Sequence, residues 1–208
     1  MNKTLITIAV IAVIAFILFS TFKGAYNNMV TKGEDTESKW SQVESQYQRR
    51  TDLYNSVVKV IEGSANFERG TLVEVIQARA NATAVNVDAS KLTPESIQQF
   101  QQAQDQLSSA FNKLMVVVER YPELQTTQQF RDFQTQIEGT ENRINKSRDD
   151  FNLSVQDYNT YIKKFPTNLM AGMFGFTEKG YFKSNAGSEN APDIKFDINS
   201  SSKPDTAK

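Results

Sequence analysis

The sequence predicts an all-α protein: an N-terminal transmembrane helix followed by an antiparallel, up-down-up-down bundle of long helices. Three observations predict it. Leu5 to Phe22 is a charge-free, mostly apolar run. Beyond it, apolar residues recur in steps of three and four over long stretches. The breaks between those stretches carry Gly, Pro and Thr where helices start and stop. The chain therefore divides into an anchor at 1–24, a bundle at 25–183 and a tail at 184–208.

Taking the elements in order, the run from Leu5 to Phe22 would span roughly 27 Å as a helix, close to the roughly 30 Å hydrocarbon core of a bilayer. A cleaved signal peptide fits less well, because "LFSTFKGAYNN" lacks a small-x-small cleavage site. Lys3 precedes the span and Lys23, Lys32 and Lys39 follow it, so flanking charge does not decide which side of the membrane holds the body.

The first soluble helix should run from Ala25 to Ile61, with Trp40, Val43, Tyr47, Arg50, Tyr54, Val57 and Ile61 on one stripe and Gly63 as its stop. The second, from about Ala65 to Ala84, places Leu72, Ile76 and Arg79 on a face, with Val75 beside them. "NATAVNVDASKL" reads as a connection. The third opens at Thr93-Pro94, an N-cap followed by a proline suited to the first turn. Its stripe is Ile97, Phe100, Gln104, Leu107, Phe111, Leu114, Val118 and Tyr121, closed by Pro122. The fourth opens with Thr126 and Gln129 at capping-box spacing. Its stripe is Phe130, Phe133, Ile137, Glu141, Ile144, Arg148, Phe151, Val155, Tyr158, Ile162 and Phe165, ended by Pro166. Narrow stripes opposite polar faces must pack against one another. Short later connections favour antiparallel neighbours, and the fourth helix should descend towards the membrane.

Composition narrows the chemistry. With 23 Lys plus Arg against 24 Asp plus Glu, the chain has no cationic excess for nucleic acid. It has no Cys and no His, which removes thiol chemistry, thiolate metal sites and the commonest metal ligand. No Gly-rich phosphate loop stands out. An enzyme is not expected, nor is a metal or a cofactor.

Charges interrupt the apolar stripes at Arg50, Arg79, Arg148 and Glu141, with Glu119 beside Val118 and Glu68 near the first turn. A buried charge is costly unless paired, and arginine's planar fork suits a pairing role. The expectation is a polar layer of Arg50, Arg79, Glu119, Glu141 and Arg148 that fixes helix register. Two alternatives stay open: long stems that reach solvent, or a pocket of arginines for an anionic ligand. Asn152 and Asn159, seven residues apart, should bond across helices. "FPTNLMAGMFGF" is apolar enough to plug the bundle's open end, or to touch the membrane interface through Leu169, Met170, Met173, Phe174 and Phe176. Residues 184–208 are polar and should form a disordered tail, in which "DIKFDI" could add as a strand to a partner.

Several segments together resemble the LemA family of bacterial membrane proteins: "WSQVESQYQRRTDL" (40–53), "ARA" (78–80), "VVERYPEL" (117–124), "FRDFQTQIEGTENRINKSRDDFN" (130–152), "VQDYNTYIKKFP" (155–166) and "GFTEKGYF" (175–182). The resemblance covers residues 26–182 and departs at Asn55 and Ser56, where the family pattern has Pro and Asn. It implies a single-pass anchor in the bacterial cytoplasmic membrane, a coiled-coil-like bundle and no enzymatic activity. It also implies protein partners, other membrane proteins among them, since family members are often encoded near membrane proteins with TPM domains or membrane metalloproteases. From this follows the expectation of a scaffold or adaptor in the cell envelope, with a sensor of an anionic ligand or lipid headgroup as its alternative.

Overall fold

The computed structural model describes residues 3–63 and 69–183. The tail, including "DIKFDI", and Glu68 lie outside the described residues. Among the described residues there is no strand. The elements are α1 (Lys3–Glu62), α2 (Arg69–Ala84), a 3₁₀ turn (Ala89–Lys91), α3 (Pro94–Val118), α4 (Pro122–Gln125), α5 (Gln128–Lys163) and α6 (Thr167–Phe174).

The apolar run and the first bundle helix are one helix. α1 continues through Gly24 and Gly33 without a break for 60 residues, about 90 Å at the helical rise. Every residue from Thr4 to Gly24 is exposed, whereas Ala25 and Met29 begin the buried face. Gly63 ends α1, its N–H bonding back to the Lys59 carbonyl.

Thr93 caps α3 as expected, accepting from the Ser96 N–H at 3.2 Å. The fourth predicted helix starts one residue later than its capping-box reading. Thr127, not Thr126, is the N-cap of α5 and accepts from the Phe130 N–H. Thr126 instead closes the one-turn α4, its N–H on the Pro122 carbonyl. At the other end Lys164 turns extended and α5 stops before Pro166. Phe165, predicted to be the last residue of the stripe, is therefore 81% exposed.

The most extensive backbone contacts run between α1 and α5 and between α2 and α3. Arg50 with Glu141 and Thr36 with Ser154 fix an antiparallel α1–α5 pair. Tyr47 against Phe100 and Tyr54 against Phe111 make α3 run parallel to α1. Leu72 at the start of α2 packs in the cluster of Leu114 and Val118, and Val87 just past its end in that of Ile97 and Phe100, so α2 runs antiparallel to α3. The result is up-down-up-down.

Two kinds of residue keep these spacings. On α5, Thr140, Ser147 and Ser154 repeat every seven residues, and all are buried. Their hydroxyls bond carbonyls of their own helix, so they enter the seam with no polar group stranded. Small side chains let α1 and α5 approach closely. Between the two pairs, rings fill the wider gap: Trp40, Tyr47, Phe100, Phe151 and Phe182 form a cluster of edge-on and stacked contacts at 5.0–6.4 Å.

All seven predicted α1 stripe residues are buried, as are those of α3 except half-buried Tyr121. On α2 the face is rotated: Leu72, Val75 and Ala82 are buried, and Ile76 is 48% exposed.

Candidate functional site

Arg50 is the centre of the interior polar group. It sits on α1 between Tyr47 and Tyr54 and is only 5% exposed. Its guanidinium donates Nη2–H to the Gln104 side-chain oxygen at 2.7 Å and to the Gln104 backbone carbonyl at 3.2 Å. Nη1 lies 3.6 Å from Glu141 Oε1 on α5. The Tyr54 hydroxyl donates to the same Glu141 oxygen at 3.3 Å. The guanidinium also lies over the rings of Tyr47 and Tyr54, 4.7 and 5.8 Å from their centroids. One arginine thus touches α1, α3 and α5 at a single level.

The surroundings show in the titrations. Burial pushes the Tyr54 hydroxyl up to about 12; Arg50 opposes the shift and Glu141 adds to it. Burial raises Tyr47 in the same way, against the pull of Arg148 and Arg50. Asp105, on the rim of α3 and not singled out from the sequence, is raised by partial burial and pulled back by Arg148 and then Arg50.

The other charges are dispersed. Arg79 is half-buried and donates to Asn55 Oδ1 at 3.0 Å, joining α2 to α1. Asn55, at the position where the resemblance implies a proline, is thus the acceptor for an arginine. Arg148 is half-buried and, among the described residues, pairs with no carboxylate. It donates to the Lys183 carbonyl at 3.1 Å and covers the Phe182 ring at 4.8 Å. Glu119 is exposed at the C-cap of α3. The structure therefore corrects the five-residue layer: only Arg50 and Glu141 meet. The cause is the seven-residue repeat on α5, in which Thr140 and Ser147 take the inward positions. Glu141 and Arg148, one residue further along, fall on the flank.

Sequence reasoning missed a second constellation, the strap formed by residues 175–183. It runs back over the bundle, held by amide side chains that pair with its backbone as a neighbouring strand would. Asn159 accepts from the Lys179 N–H and donates to the Lys179 carbonyl, both at 2.9 Å. Asn152 does the same to Phe182 at 2.9 and 3.1 Å. Gln101 of α3 does so to Lys183. The Lys179 side chain is buried and reaches Glu37 on α1 at 3.1 Å. The Asn152–Asn159 spacing was visible, but their partner is the strap rather than another helix. At Gly180 the strap passes so close to the start of α3 that a Cβ would lie 2.6 Å from the Pro94 Cα.

The apolar segment after α5 forms α6 and its cap, Gly175, at φ 76°. Met170 and Ala171 are buried against Ala25, Met29, Tyr158 and Ile162, with Phe176 half-buried at the edge. Met170 therefore faces the bundle and cannot meet a membrane. Leu169, Met173 and Phe174 are 61%, 76% and 53% exposed.

These features define a class: a helical-bundle protein whose first helix carries a segment long and apolar enough to cross a membrane. The sequence pattern of the LemA family matches residues 39–196, and the chain belongs to that family. Magnetosome proteins MamQ 1 and MamQ 2 of Paramagnetospirillum magneticum are each 29% identical to it over 179 residues, 76% of this chain and 64% of theirs. Protein LemA of Metamycoplasma hominis is 24% identical over 153 residues, 74% of this chain and 66% of the relative.

Proposed function

We propose that this chain is a membrane-anchored, non-enzymatic scaffold or adaptor that holds protein partners, other membrane proteins among them, at a bacterial envelope membrane. The observation that carries the reading is the unbroken α1. A flexible linker would let the bundle wander, whereas a continuous helix passes the direction of the anchor to the bundle. The family membership and the polar outer faces of α2, α3 and α5 fit the same reading. The test is co-purification of the intact protein in detergent. A reproducible membrane-protein partner, lost when three residues are inserted after Lys23 to rotate the bundle on its anchor, is the expected result. No partner, or a partner indifferent to the insertion, overturns it.

A sensor of an anionic ligand has one observation in its favour: the buried Nε atoms of Arg50 and Arg79 carry no hydrogen-bond partner. Against it, Gln104 and Glu141 already occupy both outer nitrogens of Arg50. Stabilisation by an anionic compound, abolished in Arg50→Met and Arg79→Met, would favour the sensor.

A further inference from the structure

We propose that α6 is a second lipid contact: the face formed by Leu169, Met173 and Phe174 lies in the headgroup region of the membrane that α1 crosses. The inference rests on the anchor reading and adds a fixed seating of the bundle on the bilayer.

Four observations converge on lipid as the occupant. The face is apolar and solvent-exposed, and Phe165, in the turn just before α6, is exposed as well. Leu169 and Met173, four residues apart, line one side of α6, while Met170 and Ala171 fix another side to the bundle, and Phe174 stands exposed at the helix's end. The patch is continuous with the anchor: the Tyr26 ring packs edge-on against Phe174 at 5.1 Å and Phe176 at 5.8 Å.

The height also fits. Tyr26 lies one helical turn beyond Phe22, where the apolar span ends, a rise of about 6 Å. The polar layer on each side of the hydrocarbon core is of similar depth, about 5–8 Å. Tyrosine at that level matches the aromatic belt of membrane proteins. Exposed Lys23 and Lys164 bracket the patch and can meet lipid phosphates. Lys163 is already paired with Glu178 at 2.7 Å. A protein partner or a second copy would have to occupy the same layer, against the bilayer surface.

The chain has no cysteine, which makes a site-specific test direct. Full-length variants carrying a single Cys at Met173, at Leu169, at Ile14 in the anchor or at exposed Val116 on α3 are labelled with a small fluorophore. They are then reconstituted into phosphatidylcholine–phosphatidylglycerol vesicles. Lipids carrying a nitroxide at the headgroup or shallow acyl position should quench positions 173 and 169 several-fold more than position 116. Deep-chain nitroxides should quench position 14.

If position 14 is quenched while 173 and 169 match 116, the proposal fails and the anchor stands. If position 14 is not quenched, the anchor reading itself fails. Labels at 173 and 169 shielded from both lipid and aqueous quenchers would show a protein covering the face and would overturn the proposal.

Discussion

Arg50 and Gln104 are joined twice. One guanidinium nitrogen donates to both the side-chain and the main-chain oxygen of the glutamine, at 2.7 and 3.2 Å, and so binds α1 to α3 in the interior. The contact to Glu141 on the third side is longer and reaches a carboxylate whose side chain is 36% exposed. The buried amide, rather than the ion pair, is therefore the stronger determinant of alignment.

Arg50→Met should cost about 1–3 kcal/mol, because it leaves the buried Gln104 oxygen without a donor. Glu141→Gln should cost less than about 1 kcal/mol, since water can replace a half-exposed partner. Arg50→Met with Gln104→Leu should recover most of the loss, as apolar replacement of a whole buried polar group often does. Denaturant unfolding of the full chain in detergent measures all three. Register is read separately. Cysteines at Thr36 and Ser154 should cross-link in the native chain, whereas the apolar double variant should also cross-link Thr36 to Ser147, one heptad away.

Alkaline stability should track Tyr54. Its folded pKa, about 12, lies above the ordinary 10.0 of an unfolded tyrosine. Between these values the unfolded chain has released the proton while the folded chain retains it. Fewer protons on the unfolded state mean that stability falls as pH rises through this window, by about 2–3 kcal/mol for a shift of this size. Tyr54→Phe keeps the stacking on Phe111 and removes the titration. Unfolding midpoints from pH 9 to 12 should fall less steeply in that variant than in the parent. Lysine titration is common to both chains and cancels in the comparison.

The α1 and α3 faces were legible in the sequence because large apolar residues mark them from Trp40 to Ile61 and from Ile97 to Val118, broken only by Arg50 and Gln104, which bond each other. The inward face of α5 was misread by one position at Glu141 and Arg148, because Thr140 and Ser147 look like surface residues. Their burial depends on the closeness of α1, which no single helix encodes. The strap was less legible still. An amide that pairs with backbone leaves no sequence signature on its partner, and "GFTEKGYF" has neither helical nor alternating apolar spacing.

Removing one amide clamp should release the strap before the bundle. Asn159→Leu leaves the Lys179 N–H and carbonyl without their partners, and buried backbone groups in that state cost about 1–3 kcal/mol each. Lys179 is buried in the parent and should resist trypsin. The variant should be cut there much faster, while the α-helical circular dichroism is retained. Asn159→Asp should lie between the two, since it can still accept from the N–H but cannot donate to the carbonyl.

Gly180→Ala should loosen the same strap by a different route. The added methyl would lie 2.6 Å from the Pro94 Cα and 2.9 Å from the Thr93 carbonyl oxygen, both main-chain atoms that cannot step aside. Relief requires moving the strap, which breaks the 2.8 Å bond from the Gly180 N–H to the Leu92 carbonyl. Hydrogen exchange should rise at Lys179 to Lys183 and remain unchanged in the α2–α3 pair.

The α1–α5 seam offers the sharpest contrast between polarity and size. In the register set by Thr36 with Ser154 and Arg50 with Glu141, Ser147 falls opposite Val43. Among the described residues its hydroxyl bonds only the Ile144 carbonyl, on its own helix. Ser147→Ala should therefore be nearly neutral: the bond it removes was local, and that carbonyl still accepts its helical N–H. Ser147→Leu should cost about 1–3 kcal/mol or more, because the extra methylenes force two backbones apart. If the seam were held by side-chain hydrogen bonds, alanine would be the damaging change and leucine no worse. Thermal midpoints of the two variants decide between packing and polarity, and the buried heptad of Thr140, Ser147 and Ser154 predicts packing.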